Sequence, residues 1–280
     1  MSFKLYAVLV ADSILIHDHM ATITDEITFI WCRPKALSAM LFFANRYVAL
    51  LGNVYMLYVY LTPVSDESCQ TYITSRELLF FFQQILVCLI LTLRTYALYC
   101  RSKRLLTWMI VIVCSLGGVT AGTSGLHSDI VPGFNCFESL SEKIAVSPGL
   151  GWVTLLAYEL LIFILTLHRI CETRGLSLAM SRRNILDIIF QDGAMYFAVM
   201  TLSNLPNILT YYFGSNTTRG SLATFTSCMS VTLVSRLMLN LHKFVDAGIL
   251  SNPVRDDDYD SAAVLTTRVN VQSAISSSYC

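Results

Sequence analysis

The chain has 280 residues, of which 55% are hydrophobic and only 14% charged, and its mean hydropathy is +0.59. A soluble domain carries about 25% charged residues because its surface faces water, so a soluble globular protein is excluded, as are a disordered chain, a collagen-like repeat and a disulfide-dense scaffold. Nineteen basic and nineteen acidic side chains cancel, which leaves no net field to draw nucleic acid.

A helix needs about 20 mostly apolar residues to cross the hydrocarbon core of a bilayer. Seven stretches meet that need: 3–23, 36–61, 77–99, 105–125, 150–170, 185–211 and 221–242. The first contains Asp12, His17, Asp18 and His19, and one Asp at a helix centre costs about 2.5–3.5 kcal/mol on insertion scales. A cleaved signal peptide is the competing reading of this stretch. Against it, Lys4 is the only early cation, two acids interrupt the apolar run, and no small-residue cleavage site follows. The sequence is therefore read as a transmembrane domain over 1–243 and a disordered cytoplasmic tail over 244–280, the tail being acidic and serine-rich. The seven spans show no internal repeat of the kind transporters often carry.

Orientation follows the basic residues near the span ends. Arg33, Lys35, Arg101, Lys103, Arg104, Arg169, Arg174, Arg182, Arg183, Lys243 and Arg255 fall on one side; Lys4, Arg76, Lys143 and Arg219 fall on the other. Eleven against four places the N-terminus outside and the C-terminus in the cytoplasm. On the outer side lie Cys69 and Cys136, a candidate disulfide between the second and fourth connectors, and Asn216-Thr217-Thr218, a candidate glycosylation sequon.

Charges inside a span are expensive and mark functional sites by default. Here they are Asp18, Arg46, Arg94, Glu159, Asp192 and Arg236, three anions and three cations in the middle and inner half of the spans. This balance predicts mutual pairing across the bundle, with Arg94 and Asp192 as partners at matching depth. The bland reading is an ion-pair network that fixes helix packing. A latch in a receptor and a proton relay in a transporter are the functional ones, and His17 and His19 feed the second. Pro206 predicts a kink in the sixth span.

Enzymatic signatures are missing: there is no H-E-x-x-H, G-x-S-x-G, Walker loop or C-x-x-C. His17 and His19 point to different helix faces and make a poor shared metal site. No catalytic residue, metal ligand or cofactor is assigned, and an intramembrane hydrolase is the residual enzymatic alternative.

The stretch Thr24 to Tyr47, T-D-E-I-T-F-I-W-C-R-P-K-A-L-S-A-M-L-F-F-A-N-R-Y, resembles the N-terminal signature of an uncharacterised family of fungal, mainly basidiomycete, multi-spanning membrane proteins, catalogued by a domain of unknown function. Glu26, Trp31, Arg33, Leu41, Phe42, Arg46 and Tyr47 occupy the signature positions. Lys35 stands where that family commonly has Trp, and Cys32 where it often has a basic residue. The resemblance implies a fungal seven-helix membrane protein and supplies no substrate. A looser similarity to G-protein-coupled receptors lies in Arg94-Thr95-Tyr96, although Leu93 replaces the acid of the receptor motif.

The expectation is thus an all-α integral membrane bundle of seven transmembrane helices in the plasma membrane. A receptor-like or sensory role comes first, and a proton-coupled small-molecule transporter or a structural component second. The expected partners are the lipid bilayer, a small-molecule ligand of unknown identity and a cytoplasmic signalling protein, with no nucleic acid.

Overall fold

The computed structural model describes residues 2–31, 37–61, 66–99, 102–123, 142–176, 183–216 and 218–250. Among these, all regular structure is helical: α1 (Ser2–Glu26), a π-helical turn (Ile27–Trp31), α2 (Leu37–Leu61), α3 (Asp66–Leu98), α4 (Lys103–Thr123), α5 (Glu142–Leu176), α6 (Arg183–Phe213) and α7 (Ala223–Leu250). Three of the helices contain stretches long and apolar enough to cross a membrane: Leu37–Val59, Thr71–Leu98 and Ala145–Arg169.

Several helices outrun the spans expected from hydropathy. α3 starts at Asp66 rather than 77, and α5 at Glu142 rather than 150. Hydropathy reports contact with lipid, whereas a helix continues through polar residues until something stops it. The polar run 66–76 contains neither Pro nor Gly. α7 likewise passes residue 243 and reaches Leu250, shortly before Pro253. The stretch 251–280, read as a tail, lies outside the described residues.

α7 is central: it packs against α1, the π-turn, α2, α3 and α6, while α5 joins α3, α4 and α6. Thr226, Ser227, Ser230, Thr232 and Ser235 of α7 are all buried. A helix enclosed by other helices need not be apolar, and small hydroxylated residues let its neighbours approach closely. α2 shows the same distribution around its circumference. Phe42, Asn45, Arg46, Ala49 and Asn53 are buried at helical spacing, whereas Leu51, Val54, Tyr55 and Tyr58 are exposed. On α3 the exposed face carries Leu78, Phe81, Phe82, Ile85 and Leu89. Polar groups inside and large apolar groups outside suit a lipid solvent, since water would leave contiguous apolar faces of this size unpaid for.

That arrangement also accommodates the acids of α1. Asp12 and Asp18 are buried, on the side packed along α7. Both acids therefore face protein rather than the outer surface of the bundle.

Candidate functional site

Asp18, Thr22 and Glu26 recur every four residues and so share one face of α1. Arg46 of α2 reaches across that face. Its Nη2 donates to the His19 carbonyl at 3.0 Å and to Thr22 Oγ1 at 2.6 Å, and its Nε donates to His19 Nδ1 at 2.9 Å. Its ion pairs are with Glu26 Oε2, 2.9 Å from Nε, and with Asp18 Oδ2, 3.8 Å from Nη1. The guanidinium carbon lies 5.6 Å from the centre of the Phe42 ring. Thr22 Oγ1 in turn donates to the Asp18 carbonyl at 2.7 Å.

Two aromatic donors complete Glu26. Tyr47 Oη donates to Oε1 at 2.8 Å and Trp31 Nε1 to the same oxygen at 3.1 Å. Trp31 is five residues beyond Glu26. In an α-helix that offset turns the side chain away, and the wider π-helical turn over Ile27–Trp31 brings it back. Phe43 stacks edge-on with Trp31 and at a tilt with Tyr47, while His19 meets Tyr47 edge-on at 5.4 Å.

The far side of the cluster belongs to α7. Arg236 Nε donates to Asp18 Oδ1. Nearby, Asn45 Nδ2 bridges α2 to α7 by donating to the Val231 carbonyl at 3.3 Å and to Ser235 Oγ at 3.2 Å. A cavity of about 10 Å³, roughly the room of one water, is lined by Asp18, His19, Arg46, Thr232 and Ser235 together with apolar neighbours. Two carboxylates thus face two guanidiniums. His19 accepts a hydrogen bond through Nδ1, which places its own proton on Nε2 and leaves the cluster neutral overall.

Of the six charges singled out in the sequence, the structure brings Asp18, Arg46 and Arg236 together. Glu159 is elsewhere, with Asn204 of α6 donating to it. Arg94 lies over the Phe197 ring at 5.4 Å. The side chain of Asp192, its expected partner, lies outside the described residues, as do Arg33 and the Cys69–Cys136 disulfide. Asn216 is exposed on the turn before α7 and accepts from Arg219 Nη1 at 2.8 Å. Glu26, His19, Thr22, Trp31 and Tyr47 were not expected in the charge network. The four-residue spacing of Asp18, Thr22 and Glu26 was the signal available for them. Among the described residues, no three His, Cys, Asp or Glu side chains gather as a metal ligand set.

These features define a chain of membrane type, helical in all the regular structure of its described residues, in which α1, α2 and α7 are joined by an ion cluster. A family model described as a family of unknown function (DUF6533) matches residues 6–51. No curated protein and no solved structure matches the chain. The matched stretch contains every ionic member of the cluster except Arg236.

Proposed function

We propose that the chain is a seven-span membrane protein with a receptor-like or sensory role, its N-terminus outside and its C-terminus cytoplasmic. The observation that carries this reading is Asp18, one carboxylate on α1 that faces cations of two other helices. A shared counter-ion supports two discrete arrangements, because strengthening one pair weakens the other. Arg46 is 3% exposed and Arg236 44%, so the α7 arm is the easier to release. A small-molecule ligand acting from outside would bias that choice, and a cytoplasmic signalling partner would read the inner end of α7. The eleven-to-four basic bias supports the orientation, and the plasma membrane is the favoured location. The signature in the first two helices favours a fungal source. The reading assigns no catalytic step.

A proton-coupled small-molecule transporter is the second reading, favoured by Asp12. Its carboxylate is buried on α1, and neither oxygen has a hydrogen-bond partner among the described residues. With His19 and Asp18 it supplies a line of titratable groups along one helix, as a relay requires.

Protein reconstituted in vesicles separates the two readings. A screened small molecule that raises Tm without crossing the membrane supports the receptor. Solute flux driven by a pH gradient and abolished by Asp12→Asn replaces that reading with the transporter.

A further inference from the structure

A second polar group stands apart from the ion cluster, between α5 and α6. Glu159 is 1% exposed, and Asn204 and Asn207 are wholly buried. Asn204 Nδ2 donates to Oε2 of Glu159. Glu159 Oε1, Asn204 Oδ1 and both polar atoms of Asn207 have no hydrogen-bond partner among the described residues. Asn204 and Asn207 are three residues apart and share one side of α6. Between them is Pro206, whose missing N–H leaves the carbonyl of Leu202 without its helical donor. Three of the unpartnered atoms, Glu159 Oε1, Asn204 Oδ1 and Asn207 Oδ1, are acceptor oxygens.

Nor does a cation answer the carboxylate. Among the described residues the ion pairs of the interior join Asp18, Glu26, Arg46 and Arg236, and none reaches Glu159. Arg94 of α3 lies over the Phe197 ring, and Arg219 donates to Asn216 on the turn before α7. A buried charge without a counter-charge is costly. Carboxylate, amide and main-chain oxygens are hard ligands, suited to alkali and alkaline-earth ions rather than to soft metals. One negative charge matches one positive charge.

We propose that Glu159, Asn204 and Asn207 form a binding site for a monovalent alkali cation, set beside the broken hydrogen-bond ladder of α6. The bound ion ties α5 to α6. The site is independent of the receptor reading, since it shares no residue with the ion cluster of α1, α2 and α7.

The test is thermal unfolding of the purified full chain at constant ionic strength, with sodium chloride exchanged for choline chloride. Sodium is expected to raise Tm saturably, and Glu159→Gln to abolish the response. Equal Tm values in the two salts overturn the proposal, as does a sodium response that survives Glu159→Gln. A Tm that ignores sodium but rises on acidification in choline overturns it in favour of a protonated Glu159. Should Glu159→Gln not fold, Asn207→Ala serves instead. It is expected to weaken the apparent sodium affinity about tenfold, equivalent to the loss of roughly 1.4 kcal/mol of binding, and an unchanged affinity overturns the site.

Discussion

Arg46 on α2 and Glu26 on α1 form a buried ion pair, with Nε 2.9 Å from Oε2 and neither side chain more than 3% exposed. Such a pair contributes little net stability when intact, because both charges have lost their hydration. Breaking it is another matter. Without Arg46, Glu26 stays buried with only the hydrogen bonds of Tyr47 and Trp31 and no counter-charge.

Arg46→Ala is therefore expected to destabilise the protein by about 3–5 kcal/mol. Arg46→Lys should recover only part of this, because an ammonium cannot reproduce the planar fork that serves Glu26, His19 and Thr22 together. Denaturant unfolding of the two variants in the same detergent measures the difference. A lysine variant as stable as wild type would mean that charge alone matters at this position.

The two aromatic donors to Glu26 should rank in a definite order. Tyr47 donates at 2.8 Å and is partly buried, whereas Trp31 donates at 3.1 Å and is half exposed. Tyr47→Phe is expected to cost about 1.5–3 kcal/mol, the range for a hydrogen bond to a charged group, and Trp31→Phe less. The reverse order in thermal unfolding would place the principal donor on the π-turn.

Some of this cluster was legible in the sequence, and the reason for the remainder is geometric. Asp18, Arg46 and Arg236 stand out because a charge inside an apolar run has to be explained. Glu26 was hidden because hydropathy closes the first span at residue 23, while the helix itself runs to Glu26. His19, Thr22 and Tyr47 join as formally neutral partners, which no charge pattern reveals. Matching depth suggested Arg94 for Asp192, but depth leaves rotation about the helix axis open; Arg94 lies over the Phe197 ring, and the Asp192 side chain is outside the described residues. Glu159 shows the same limit, being answered by an amide on α6 rather than by a cation. Among the described residues, each of the seven apolar runs falls on a helix. The helix ends were not readable, since α3 and α5 begin well within polar sequence.

Gly220 is the one described glycine with a left-handed backbone, at φ 66°. A Cβ there would lie 2.8 Å from Tyr211 Oη. Gly220→Ala is expected to cost about 1–3 kcal/mol from backbone strain, with the close contact adding to it. Adding Tyr211→Phe should remove the shortest contact, leave Cζ and Cε1 of the ring at 3.0 and 3.1 Å, and leave the backbone term. Full recovery of Tm in the double variant would show that the contact was the whole cost.

Gly52 of α2 makes a different case. A Cβ there would meet Leu79 of α3 at 2.6 Å, but the atom met is the tip of a flexible side chain. Gly52→Ala should be milder than Gly220→Ala, because Leu79 can move. Gly52→Leu should cost at least about 1–3 kcal/mol by overpacking the helix contact. Equal effects for alanine and leucine would place the tight contact in the backbone rather than in Leu79.

The most direct test of the shared counter-ion is a double-mutant cycle between Asp18 on α1 and Arg236 on α7, residues 218 apart in sequence. Asp18→Asn, Arg236→Gln and the double variant are compared with wild type by denaturant unfolding in one detergent. A direct pair predicts a coupling within about 0.5–3 kcal/mol, with Asp18→Asn the more damaging single change because it deprives Arg46 as well. Simple additivity of the two substitutions would contradict the bridge between α1 and α7, and with it the latch on which the receptor-like reading stands.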